Sequence, residues 1–297
     1  MKINRLTLNL LRSWILGDIK SRRKHYPSRD EYRHFINVRY KEGKNKHHTY
    51  DVYLANEDNR KHCCVIDIHG GSYIFGEHRD NYPYAKVLLD AGFDVVLVDY
   101  WPNDGRHDIE DIFKDCALNL QHLFANLQEF DLENDKFVIS GDSAGGHLAL
   151  LLSIAIQNKE VKEQLGLDLP EFNPLATVLA CPVFDFANIG VGAMMPGALK
   201  RMLGPKFNDK NHLEKFSPKT YIQYHRIPLF LSTCKNDFIR NESMMLNEYM
   251  KGENGYQFID IDSNDKNVDH VHNVIKIHLK ESIEVNNAIV EFIDKLL

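Results

Sequence analysis

The run Phe137-Val138-Ile139 is short and apolar, a second apolar set extends from Leu148 to Ala155, and between them stands Gly141-Asp142-Ser143-Ala144-Gly145-Gly146. The first run predicts a buried strand and the second a buried helix. Few sequences satisfy that reversal, because the chain must leave a strand, turn within a few residues and enter a helix without colliding with itself. Glycine at positions 141 and 145 removes the side chains that would collide. A serine held at such a bend keeps its hydroxyl exposed, and the free N–H groups at the start of the helix favour negative charge beside it. A plain Gly-rich turn would share the spacing. The strand before it and the helix after it favour a reactive serine.

Alternating elements surround this bend. His34–Tyr40 and Thr49–Leu54 predict a hairpin around a polar turn, and His62–Ile68, Phe93–Tyr100, Ala176–Val183, Pro228–Cys234 and Tyr256–Ile261 predict further strands. Helical spacing marks 81–91, 109–127, 243–251 and 281–297. Strand and helix therefore alternate along the chain, which predicts right-handed crossovers in a mostly parallel sheet with helices on both faces. The stretch 160–173 is expected to be a surface excursion. The region from Phe186 to Lys219 holds Gly190, Gly192, Gly197 and several methionines, and is too long for a simple loop.

Composition limits the partners. With 36 Lys plus Arg against 42 Asp plus Glu, the net charge of −6 gives no electrostatic case for nucleic acid. Five cysteines without metal-like spacing, several in strand-like runs, suit a reducing cytoplasm better than a disulfide framework. Leu6, Leu10, Leu11, Trp14 and Ile15 share one helical face, which is expected to pack on its own domain. Arg5 and Arg12 interrupt that stretch and no small-residue cleavage site follows, so neither a signal peptide nor stable membrane insertion is expected.

A second motif fits the first. The strand through Ile68 runs into His69-Gly70-Gly71-Ser72-Tyr73, a loop whose bare backbone can approach a substrate and present N–H groups to a developing oxyanion. Asp67-Ile68-His69-Gly70-Gly71 together with Gly141-Asp142-Ser143-Ala144-Gly145-Gly146 resembles the α/β-hydrolase superfamily, in particular its hormone-sensitive-lipase-like esterase branch. The resemblance runs from about Val65 to the C-terminus. It implies one α/β-hydrolase domain over 1–297, with 1–30 and 186–219 as segments of a helical cap. It also implies a nucleophile, Ser143, with its acid and histidine at the ends of later strands. Asp237 and His270 match those places, and the N–H groups of Gly70, Gly71 and Ala144 match the oxyanion hole. The implied reaction is hydrolysis of small to medium acyl esters through an acyl-enzyme, with no cofactor. An amidase or peptidase of the same fold, or a ligand-binding protein with a silent triad, would share the same residues.

Each role has a rival. His272 lies two positions from His270, and Asp185 also ends a strand; His270 and Asp237 are preferred. Asp142 is expected to hydrogen-bond within the turn and His147 to be structural. The family's third glycine is Ser72 here, so bulky tertiary-alcohol esters are not expected substrates, and Trp101-Pro102-Asn103-Asp104 replaces the usual continuation after Asp99-Tyr100. The pairs His47-His48 and His270-x-His272 lack the acidic or thiol partners that would complete a zinc site. No dinucleotide or phosphate-loop fingerprint occurs.

Overall fold

The computed structural model describes residues 26–103, 105, 107–133, 135–189 and 203–297. Among them, eight strands form one sheet: β1 (Arg33–Arg39), β2 (Thr49–Leu54), β3 (Cys64–Ile68), β4 (Asp94–Val98), β5 (Phe137–Asp142), β6 (Ala176–Ala180), β7 (Leu229–Cys234) and β8 (Tyr256–Ile261). Their order is β1-β2-β4-β3-β5-β6-β7-β8. The β1–β2 hairpin joins β4 antiparallel, and every pairing from β4 to β8 is parallel. This is the α/β-hydrolase arrangement anticipated above.

Every residue of β2 to β7 is buried. A parallel sheet reaches that state only with helices on both faces. The longer helices supplying this cover are α1 (Tyr82–Asp90), α2 (Ile109–Ala125), α3 (Ala144–Gln157), α4 (Arg240–Met250) and α5 (Lys280–Asp294). The pleat divides each strand between two cores. Ile66, Ile68, Val96 and Val98 pack with Ile112, Phe113 and Leu120 of α2, Leu148 to Leu152 of α3 and Leu246 of α4. Val65, Val95 and Leu97 pack with Ala85, Leu88 and Leu89 of α1 and with Val285, Ile289 and Ile293 of α5.

The order of the strands positions the site. From β3 the chain moves outward to β4, then crosses back to β5 on the other side of β3. The carboxyl ends of β3 and β5 are therefore neighbours from which the following loops diverge, which opens a crevice there.

One local expectation differs from the structure. Within the expected surface excursion, Lys159–Leu165 is a helix, with the Asn158 side chain accepting from the Val161 N–H at 3.0 Å and Gly166 left-handed at its end. The expected cap falls partly on 1–25 and 190–202, outside the described residues, as does the amphipathic stretch from Leu6 to Ile15. In the described part, Lys210–Lys215 and Pro218–Tyr221 are short helices, and Leu203, Leu213 and Phe216 join the core beneath α2 and α3. Among the described residues no helix is long and apolar enough to cross a membrane.

Candidate active site

Ser143 joins β5 to α3 at φ 52° and ψ −118°, a backbone state that a side chain adopts only when its surroundings enforce it. Three neighbours do so. The Ser143 N–H donates to the Ala180 carbonyl at 2.9 Å, and its own carbonyl accepts from His147 and Val183. The tightness explains the glycines: a methyl group at Gly145 would stand 1.9 Å from the Ile68 carbonyl oxygen, and one at Gly141 would stand 2.5 Å from that of Gly145.

The acid and the histidine arrive on loops after β7 and β8. Asn236 forms a parallel bridge with Asp269, and its amide donates to the carbonyls of Val268 and Asp265 at 2.9 and 3.0 Å. That stitching sets the following residue, Asp237, beside His270. His270 Nδ1 lies 2.6 Å from Asp237 Oδ1, and Nε2 lies 2.8 Å from Ser143 Oγ. A carboxylate on Nδ1 fixes the proton there and leaves Nε2 to accept the serine hydroxyl. Burial pushes the Asp237 carboxyl up. The bond to His270, the Ile239 N–H and the Thr233 hydroxyl outweigh it and hold the carboxyl below its ordinary value. The residue after His270, Val271, is left-handed and donates its N–H to Cys181 Sγ at 3.4 Å.

The family model BD-FAE matches residues 50–250, more than half of the chain. The chain belongs to the BD-FAE family. It is 26% identical over 182 residues to a Mycobacterium tuberculosis protein named "Probable carboxylic ester hydrolase LipM", covering 58% of this chain and 41% of that protein. It is 27% identical to the "Carboxylesterase/phospholipase LipF" of that organism over 44% of this chain and 34% of that one. The chain thus spans less than half the length of these curated relatives. Among solved structures, esterase B from Lactobacillus rhamnosis with a tributyrin phosphonate inhibitor superposes with TM-score 0.86 at 23% identity, over 100% of this chain and 96% of that one. An esterase from Pyrobaculum calidifontis gives 0.69 at 18% identity, over 97% and 92%.

In this BD-FAE member the rivals have other partners. His272 Nδ1 pairs with the Ser282 hydroxyl at 2.8 Å in a buried pocket. Asp185 forms an ion pair with Lys219 at 2.7 Å and caps the turn at Asn188. His47 and His48 face different carboxylates, Asp99 and Asp115. Two other groups of ligating side chains occur among the described residues. Cys181, Asp237 and His270 form one, in which the Asp237–His270 hydrogen bond already joins two of the three. Asp108, Glu110 and His212 form the other, and there Lys206 brings an ammonium to 3.3 Å from Asp108.

The oxyanion loop requires a correction. The Gly70 N–H, expected to face the substrate, donates to Asp142 Oδ1 at 2.9 Å. Asp142 does not bond within the turn; it reaches across to this loop and to Asn81 Nδ2 at 2.7 Å, because Ile68 pairs with Gly141 and the two chains leave the sheet side by side. Among the described residues the N–H groups of Gly71, Ser72 and Ala144 donate to no protein acceptor. Beneath the loop, His69 stacks on Tyr100 with centroids 4.4 Å apart, its Nδ1 2.6 Å from the Gly70 carbonyl and its Nε2 3.1 Å from Asp99. Asp99 also meets His47 and His78, the latter at 3.1 Å. Burial pushes the Asp99 carboxyl up, and these three imidazoles outweigh it and hold it below the usual carboxylate range.

Sequence reasoning missed several contributors. Thr233 and Asn236 hold the acid loop, and Asn81 ties Asp142 to Asp67, yet none belongs to a recognisable motif. Phe238, 77% exposed, stands with its ring 4.3 Å from that of His270. Only its position after Asp237 could have drawn notice.

Proposed function

We propose that the chain is a serine carboxylic-ester hydrolase acting on small to medium acyl esters through an acyl-enzyme. Ser143 Oγ attacks the acyl carbon while His270 Nε2 takes its proton. Asp237 keeps the imidazole in the required tautomer and stabilises its cation. The N–H groups of Gly71 and Ala144, with that of Ser72 close by, receive the oxyanion. His270 then protonates the leaving alcohol, and water activated by the same imidazole releases the acid and restores Ser143. No cofactor enters these steps.

The observation that carries the reading is the continuous chain from Ser143 Oγ through both ring nitrogens of His270 to Asp237, with contacts of 2.8 and 2.6 Å. The names of LipM and LipF support an ester as substrate, and the phosphonate-inhibited esterase B supports a short acyl chain. The domain is read as a single hydrolase unit over 1–297, with 1–30 and 186–219 as cap segments shaping the acyl pocket. Five buried free cysteines support a reducing, cytoplasmic setting, and the net charge of −6 disfavours nucleic acid as partner.

The test is release of nitrophenol from p-nitrophenyl butyrate. The wild type is expected to show a burst followed by steady turnover, and Ser143→Ala to lose at least about 10⁴-fold in kcat. Turnover equal in the two proteins would overturn the assignment.

A further inference from the structure

The loop that faces Ser143 is strained in a way its glycines do not explain. Gly71, Ser72 and Tyr73 take successive φ values of 118°, 53° and 64°. The left-handed state is open to glycine, but for Ser72 and Tyr73 it costs about 1–2 kcal/mol each. An aromatic side chain there is rare and must be held from outside. Tyr73 is 1% exposed, and its hydroxyl lies 2.9 Å from His147 Nδ1. Its ring meets those of His147 and Phe186 edge-on, and its carbonyl accepts from the Asn103 N–H at 2.6 Å.

His147 is fully buried, and its other nitrogen, Nε2, lies 2.6 Å from the Phe216 carbonyl. A carbonyl only accepts, so Nε2 carries the proton and Nδ1 offers its lone pair to the tyrosine hydroxyl. The same residue donates its backbone N–H to the Ser143 carbonyl at 3.1 Å. One neutral imidazole therefore connects the nucleophile's helix, the left-handed loop and the segment leading to β7.

We propose that His147 is a positioning residue: by holding Tyr73 it fixes the left-handed run that points the N–H groups of Gly71 and Ser72 towards Ser143. This rests on the esterase reading for its kinetic consequence, but not for its structural one. Loss of the clamp leaves Ser143, His270 and Asp237 in place and lets the loop relax towards ordinary dihedral angles. The cost then falls on the transition state, where oxyanion donors act, more than on ground-state binding.

Tyr73→Phe removes the hydroxyl and keeps the ring. It is expected to lower kcat for p-nitrophenyl butyrate by about 10- to 100-fold with KM changed less than about threefold. His147→Leu should act alike, the double variant should be no worse than the poorer single one, and His147→Gln, which retains a donor and an acceptor, should recover part of the loss. Amide hydrogen exchange of residues 70–75 should quicken in Tyr73→Phe while the strands keep their protection. That measurement decides the clamp even in a protein that hydrolyses no ester, so the two proposals fail separately. If His147→Leu does not fold, Tyr73→Phe decides alone. Unchanged kcat and unchanged exchange at 70–75 would overturn the proposal, as would a fall in kcat matched by loosening of the whole molecule.

Discussion

At the scale of single residues, His270 is useful only because of what stands on each side of it. Asp237 accepts the hydrogen bond from Nδ1–H and keeps the proton on that nitrogen, so the lone pair on Nε2 faces Ser143 Oγ at 2.8 Å. Asp237→Asn keeps the shape but presents an amide that can donate to Nδ1 and so stabilise the opposite tautomer. Its kcat is expected to fall by about 10⁴-fold, with the thermal midpoint little changed. Steady-state kinetics beside a melting curve check this, and a variant within tenfold of wild type would mean that another group orients the imidazole. His272 follows the same spacing rules as its neighbour, yet its ring is directed at Ser282. Two residues along the chain were enough to separate a ring that faces Ser143 from one that packs, because Val271 turns left-handed between them.

At the scale of elements, the docking of α3 onto the end of β3 limits the whole site. Gly145 lies where the helix backbone touches the carbonyl oxygens of Ile68 and His69, and Gly145→Ala would place a methyl 1.9 Å from the first and 2.5 Å from the second. Backbone on both sides cannot yield as a flexible side chain would. The substitution is expected to destabilise by about 3 kcal/mol, measured by urea unfolding, and to lower activity as the helix withdraws from the loop. Outside the site, Arg60 joins the turn before β3 to β4: its guanidinium, 2% exposed, bonds Asp94 at 3.0 Å and reaches Asp131. Burial alone pushes the Asp94 carboxyl up. Arg60→Met leaves that carboxylate without its ion pair and is expected to cost about 3–5 kcal/mol by the same measurement.

At the scale of the molecule, the cluster under the oxyanion loop links stability to pH. His78 lies 3.1 Å from carboxylate oxygens of both Asp99 and Asp51. Burial pulls its pKa down, but the two carboxylates outweigh that and raise it to about 9. A base that binds its proton more tightly when folded adds stability that is fully present below its unfolded value, near 6.5, and is lost as pH rises through about 9. His69, also raised against the pull of burial, adds to the same slope. On the acid side, burial lowers His147 and His225 to about 4, so their contribution falls as pH drops from 6.5 towards 4; Asp67, raised to about 6 by burial and the neighbouring Asp142, works the other way. The alkaline limb is therefore the clearer one. The thermal midpoint is expected to fall between pH 6.5 and 9, and the advantage of wild type over His78→Gln to narrow across that window. A constant gap would show that His78 does not titrate there.

Local physics made much of this legible in advance. Apolar runs bounded by turn residues located the strands, with Thr49–Leu54, buried throughout, and the half-buried Tyr256–Ile261 both at their observed limits. The serine bend and the His-Gly-Gly loop were readable because tight backbone approach demands glycine. The helix Lys159–Leu165 was missed although Asn158 and Gly166 bracket it, since its exposed polar face hid the pattern. Other features depended on contacts between distant segments. The diversion of the Gly70 N–H to Asp142, the choice between His270 and His272, and the hold of His147 on Tyr73 each join segments remote in sequence. Residue type determines which groups can bond. Only the packed sheet, by setting which loop ends lie side by side, decides which of them do.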